Sequence, residues 1–371
     1  MEVRGKTHIF YQIIFKVLFK LNISSKLKSR IKYRFSLKKY NTFGIEAQCA
    51  AFINIKSIDD LIKVLKIDQL PIQIMGGGSN ILFTQEHYDR LFIKNDLKGI
   101  QIVGDALHDD RAGNEHLEVG IGSGENWHHF VEYAVKNNWG GIENLSLIPG
   151  TMGASPIQNI GAYGVELKDV FVKLEALNLK TLEIETFTNA QCQFGYRDSI
   201  FKTVLKGQYF ITKVFLKLRI DNHVLHMDYG DIQKVLKEKA INNPTIQDIS
   251  NAVIQIRQSK LPDPSVIGNA GSFFKNPEIP TADFQQLKEQ FPNIVGYPTA
   301  TGVKVAAGWL IEQCGWKGKR LGDIGVHERQ ALVLVNYGNG HGADIQQLAA
   351  DIQASVLERF GIRLVAEVNM L

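Results

Sequence analysis

Three side chains, far apart in a chain of 371 residues, have types that could do chemistry. Arg197 stands in Phe194-Gly-Tyr-Arg-Asp-Ser199, between an aromatic and an acid. A guanidinium fork suits a carboxylate or a phosphate; a plain Arg197–Asp198 salt bridge is the competing reading. Ser272 follows a glycine and precedes two phenylalanines in Asn269-Ala-Gly-Ser-Phe-Phe-Lys-Asn-Pro277. It lacks the G-x-S-x-G frame of an acyl-transfer elbow, and a turn hydroxyl is its bland alternative. Glu367 is an acid inside the apolar run Val365-Ala-Glu-Val368. Strand alternation places it opposite Val368, on a rim or facing a site. Tyr163 and Tyr229 read as surface aromatics by default. No HExxH is present, and His128-His129 are adjacent, so on a helix they point in different directions. A metal site is not expected.

Two glycine-rich segments carry no charge. Ile148 to Gly164 holds four glycines and two prolines, and the uncharged run extends from Asn144 to Val165. Such a loop is neither helix nor central strand. Its lack of charge points to burial, where its backbone groups need partners. The other segment is Gly76-Gly-Gly-Ser-Asn80, after an apolar run. Successive glycines let N–H groups converge on a phosphate, although a hairpin turn reads equally well. GK[ST] is missing, so this is no P-loop. Together the two loops favour a cofactor bearing a pyrophosphate. A third, Gly338-Asn-Gly-His-Gly-Ala343, fits G-x-G-x-x-A. Too little chain follows it for the βαβαβ of a mononucleotide-binding half, so it reads as a glycine-rich connection.

The elements that must position these residues are many strands and a few helices. Strands are expected at 50–55, 71–75, 81–83, 116–120, 171–177, 183–186 and 209–218. Helices are expected at 58–65, where Ser57 can cap the start, and at 127–137. Another helix spans 250–257, and two prolines in Leu261-Pro-Asp-Pro264 mark a domain junction. Beyond it lie helices at 281–290, 306–314 and 344–359, a strand at 331–336 and a final strand at 363–368.

The net charge of +4 hides an asymmetry. Residues 1–40 hold 11 Lys/Arg and one acid, which leaves the rest at a net of −6. The folded body is mildly acidic, so no nucleic-acid surface is expected. The apolar stretch from His8 to Asn22 is broken by Lys16 and Lys20 and is too short to span a membrane. Three readings stay open for this tail: an amphipathic helix on anionic lipid, a disordered extension, or an upstream start with true initiation between Leu27 and Leu37. Three scattered cysteines without CxxC argue for a reducing compartment.

Eight ordered segments resemble one family. NTFG (41–44), GGGSN (76–80), IPGTMGASPIQNIGAYG (148–164), FGYRDS (194–199), LPDP (261–264), NAGSFFKNP (269–277), AAGWLIEQC (306–314) and VHxxQALVLVN (326–336) are similar to UDP-N-acetylenolpyruvoylglucosamine reductase. This is a flavoenzyme family of bacterial peptidoglycan synthesis, and the match lies with its tyrosine-loop branch. The resemblance implies an α+β protein with a vanillyl-alcohol-oxidase-type (PCMH-like) FAD-binding domain at 39–221. A connecting segment with a tyrosine loop would occupy 222–261, a smaller α+β substrate-binding domain 262–361, and a C-terminal strand 362–371 would return to the active site. Residues 1–38, a basic extension, lie outside it.

The resemblance further implies non-covalent FAD, NADPH as co-substrate, and UDP-N-acetylglucosamine enolpyruvate as substrate. Arg197 and Glu367 match the pair that stabilises the anionic intermediate, and Ser272 matches the proton donor. Cofactor contacts carry over onto Gly76, Gly77, Gly78, Ser79 and Asn80. In the longer loop they carry over onto Ile148, Pro149, Gly150, Gly153, Ala154, Ser155, Ile157, Gly161 and Tyr163. Ala154 stands where some members have serine, which removes one hydroxyl contact. Substrate contacts carry over onto Tyr163, Tyr229, Lys260, Asn276, Tyr297 and Gln330, with Lys260 placed for the diphosphate. The implied protein is a cytoplasmic monomer with small-molecule partners, no nucleic acid and no stable membrane insertion. The alternative is an FAD oxidase of a small alcohol or sugar. Such enzymes often attach flavin through a histidine, and none lies in 148–164.

Overall fold

The computed structural model describes residues 25–66, 70–109 and 114–371. Much of the tail, including the apolar stretch 8–22, lies outside the described residues. Two sheets build the first half. One has the order Lys32–Ser36, Gln48–Ile55, His87–Asn95, Ile72–Met75, with three strands parallel and the first antiparallel. The other is antiparallel, in the order Ile184–Thr188, Phe171–Asn178, Tyr209–Arg219, Asn114–Gly122, Ile100–Asp109. The helix Ile58–Leu65 starts where expected, because the Ser57 hydroxyl accepts the Asp60 N–H. The helix Trp127–Lys136 buries Trp127, Phe130, Val131, Ala134 and Val135 against the second sheet.

The boundary expected at residue 38 is corrected. Lys32–Ser36 pairs with Gln48–Phe52 as an edge strand. Leu27 and Ile31 are buried on one side of that sheet, with the helix 58–65, and Leu37 is buried in the core on the other. Burying one leucine contributes about 1.5–3 kcal/mol, so residues 25–38 are part of the fold. A charge count marks them as tail because Lys and Arg occupy the exposed positions between the apolar anchors.

The second half carries an antiparallel sheet in the order Gly268–Ser272, Val333–Asn336, Ile324–Val326, Arg320–Leu321. The helix Gly342–Phe360 covers it. The glycine run before this helix serves packing. A Cβ on Gly342 would lie 1.6 Å from the Phe83 carbonyl oxygen, and the antiparallel sheet excludes a dinucleotide half. The expected strand at 363–368 is also corrected. Only Ala366 forms a bridge there, with Phe274, and the strand is Asn369–Met370, parallel to Ile81–Leu82. The segment changes partner midway, so no single ladder covers it.

NTFG ties the halves together. Asn41 closes its own turn with bonds to the Leu37 and Ile45 carbonyls, both at 2.9 Å. The Thr42 N–H donates to the Gly78 carbonyl at 3.1 Å, and the Thr42 carbonyl accepts from Asn269 at 3.0 Å. The Phe43 carbonyl accepts from the Asn336 side chain at 2.9 Å. One apolar core accordingly runs from Phe43, Phe52 and Phe92 into Phe273, Leu334 and Ile352.

Candidate active site

The two uncharged loops lie against each other. A Cβ on Gly77 would meet the Gly150 Cα at 3.4 Å, and one on Gly76 would meet the Thr151 hydroxyl at 2.5 Å. Gly78 has φ +70°, and a Cβ there would sit 1.9 Å from the Tyr40 carbonyl oxygen. Glycine is therefore required at Gly78 on two counts. Among the described residues, the N–H groups of Gly77, Gly78 and Ser79 donate to no protein acceptor. The hydroxyls of Thr42 and Thr151 are buried without a partner. Convergent free N–H groups and unpaired hydroxyls beside them suit a phosphate-bearing cofactor.

Arg197 ends the turn after Phe194, in a left-handed conformation (φ +54°) that costs a side-chain-bearing residue about 1–2 kcal/mol. Its Nη2 donates to the Gly161 carbonyl at 2.6 Å, inside the long loop. Its Nε lies 3.2 Å from Glu367 Oε1, with both side chains largely buried. The Arg197–Asp198 pair does not form; Asp198 accepts the Ser199 N–H instead. The Glu367 N–H donates to the Phe273 carbonyl at 2.8 Å, which puts the acid one residue from Ser272. Ser272 is exposed, and its hydroxyl makes no hydrogen bond among the described residues. Three residues that are remote in sequence thus meet at one place.

Cations surround them. Lys202 donates to the Arg197 carbonyl at 3.2 Å. Burial first and Lys275 second hold its ammonium below the ordinary lysine range, against the pull of Glu367 and Asp198. Lys304 reaches from the second half to lie 3.4 Å from the centre of the Tyr196 ring, and burial lowers it too. Arg257, largely enclosed and without an acid partner among the described residues, donates to the Leu147 carbonyl at 3.3 Å. Burial is the main cause of its lowered pKa. Lys202, Lys304 and Arg257 are not legible as site residues, because single cations in a turn, a strand and a helix look like ordinary surface charge.

The expected substrate contacts are divided. Tyr163 (φ +49°) meets Tyr229 edge to face at 5.8 Å, and burial raises the Tyr163 phenol pKa. Buried Asn144 holds both segments through the Tyr163 carbonyl at 3.0 Å and the His226 carbonyl at 2.9 Å. Lys260 is engaged in an ion pair with Asp231. Asn276 accepts the Ala307 N–H at 3.0 Å, and Gln330 accepts that of Leu332 at 3.3 Å. Tyr297 is exposed on the strand Gly296–Pro298. Cys49 and Cys192 are buried, and their thiols are pushed up to about 12.

Residues 49–186 match the family model described as FAD binding domain, and residues 263–371 match UDP-N-acetylenolpyruvoylglucosamine reductase, C-terminal domain. A protein of Flavobacterium johnsoniae named UDP-N-acetylenolpyruvoylglucosamine reductase is 52% identical over 339 residues, covering 91% of this chain and 98% of that relative. The chain belongs to the UDP-N-acetylenolpyruvoylglucosamine reductase family. The Pseudomonas aeruginosa protein of the same name is 45% identical over 90% of this chain and 97% of its own length. The crystal structure of a UDP-N-acetylenolpyruvylglucosamine reductase from Thermus caldophilus shares the fold, with a TM-score of 0.62 at 22% identity over 92% and 98% of the two chains. This reductase is thus an oxidoreductase with an FAD-binding domain and a second α+β unit. Among its described residues no helix is long and apolar enough to cross a membrane.

Proposed function

We propose that this chain reduces UDP-N-acetylglucosamine enolpyruvate to UDP-N-acetylmuramate, with NADPH as the source of electrons. The convergence of Arg197, Glu367 and Ser272 at the edge of the glycine loops carries this reading. Bound FAD would be held by the amides of Gly77 to Ser79 and by the loop 148–164, and it supplies a hydride donor.

Addition of hydride to the enolpyruvyl methylene carbon leaves negative charge on the adjacent carbon and its carboxylate. Arg197 offers a fixed guanidinium to that charge, and Lys202 and Lys304 add positive potential in a desolvated place. Glu367 sets the guanidinium's direction through its ion pair with Arg197 Nε. Ser272, with no protein acceptor, is free to give its proton to the carbon. An alcohol suffices because a carbanion-like centre is a stronger base than an alkoxide. Tyr163 and Tyr229 would flank the nucleotide-sugar, and Asn276, Tyr297 and Gln330 would contact it from the second half. Lys260 reaches the diphosphate once it leaves Asp231. The enzyme then works as a cytoplasmic monomer on small molecules.

Ser272→Ala tests the reading. The variant should keep FAD and be reduced by NADPH, yet lose turnover of the enolpyruvyl substrate by about 10³-fold or more. Near-normal turnover would remove Ser272 from the role. Oxygen uptake with a small alcohol, in place of substrate-dependent NADPH consumption, would favour the oxidase reading.

A further inference from the structure

Asn80 sits where three segments meet. One hydrogen of its amide goes to Gln158 Oε1 at 3.0 Å, in the long glycine loop. The other goes to the carbonyl of Glu367 itself at 3.2 Å, 287 positions away. Its own backbone carbonyl receives two bonds from Asn369, from the N–H at 3.1 Å and from the side-chain amide at 3.1 Å. Glu367 is gripped from the other side by the Phe273 carbonyl, through its N–H at 2.8 Å. Both polar backbone groups of the acid are thereby fixed, one by each half of the molecule.

The chain of contacts Gln158–Asn80–Asn369 has one consequence. Asn80 follows directly on the free amides of the glycine turn, so whatever orders that turn also orders Glu367. From this backbone position the Glu367 carboxylate reaches Arg197 Nε at 3.2 Å. From this geometry we propose that Gln158 and Asn369 are positioning residues for Glu367, acting through Asn80, and that filling the glycine turn and aiming the acid are one coupled event. This rests on the role given to Glu367 above.

The test is a double-mutant cycle on the FAD-loaded protein with the enolpyruvyl substrate. Asn369→Ala removes one bond to the Asn80 carbonyl and touches neither the glycine turn's amides nor Arg197. It should lower kcat about tenfold at unchanged KM and unchanged FAD content, since misplacing a group by a fraction of an ångström costs that order. Asn369→Ser, which keeps a short donor, should recover most of the loss. In a Glu367→Gln background the Asn369→Ala change should have almost no further effect on kcat, because a positioning residue has nothing left to position. A full tenfold loss in that background would mean a general structural role and overturn the inference, as would unchanged kcat in Asn369→Ala alone. Full activity in Glu367→Gln alone would instead sink the role of Glu367. Gln158→Ala gives an independent arm: it should show the same non-additivity, and additive behaviour there would count against the coupling.

Discussion

The two walls of the site are made of different material. One wall, residues 76–80 and 148–164, which we propose holds the cofactor, is backbone: glycines at positive φ, unpaired amides and no charged side chain. The facing wall, reached through Ser272 and Glu367, is side chain on short extended segments, with Lys275 and Lys304 nearby. The first wall is specified by what is missing, a Cβ or a charge. The second is specified by what is present. Errors on the first wall should therefore break binding and fold, whereas errors on the second should break turnover and leave the fold alone.

Gly78→Ala probes the contrast hardest. Its methyl would meet the Tyr40 carbonyl at 1.9 Å in a left-handed backbone, so we expect a loss of about 2–5 kcal/mol and a colourless protein. Flavin content and thermal midpoint would report it. An FAD-replete, stable variant would mean that the backbone wall yields more than the packing indicates. Glu367→Gln is the counterpart. It should keep flavin and midpoint while kcat falls about 10²–10³-fold, and a parallel loss of flavin would blur the two walls into one.

The smallest effect concerns how the backbone wall is anchored. Leu147, left-handed at φ +59°, donates its N–H to His128 Nδ1 at 3.0 Å and gives its carbonyl to Arg257. An accepting Nδ1 carries no proton, and burial, the largest cause, lowers the His128 pKa below its ordinary 6.5. The unfolded chain then binds more protons than the folded one as pH falls, so stability drops from about pH 6.5 downward through the lowered folded value. His128→Asn retains an acceptor but cannot titrate. Its thermal midpoint should fall less than that of the parent between pH 7 and pH 5; equal slopes would remove His128 from the effect.

Much of this was legible in the chain. Ser57 before an apolar period marks the start of the helix Ile58–Leu65, and the two charge-free loops do come together, with the Gly77 position against Gly150. The strand 87–95 is masked in the sequence because Asp89 and Arg90 interrupt its apolar pattern, although Phe92 and Ile93 are fully buried. The helix Ile246–Lys260 begins four residues before the expected start, at a capping box of Thr245 and Asp248 that can be read from the sequence. The partnership of Arg197 with Glu367 rather than with adjacent Asp198 could not be read from neighbours. It depends on where residues 365–371 lie, and that is a tertiary fact.

The path of those residues also sets an order of assembly. Synthesis delivers both glycine loops and Arg197 long before Glu367, which then enters between Asn80 and Phe273, segments already made. The expectation is that a nascent chain can hold its flavin while still inert, and that the reactive centre is switched on by the arrival of one short thread.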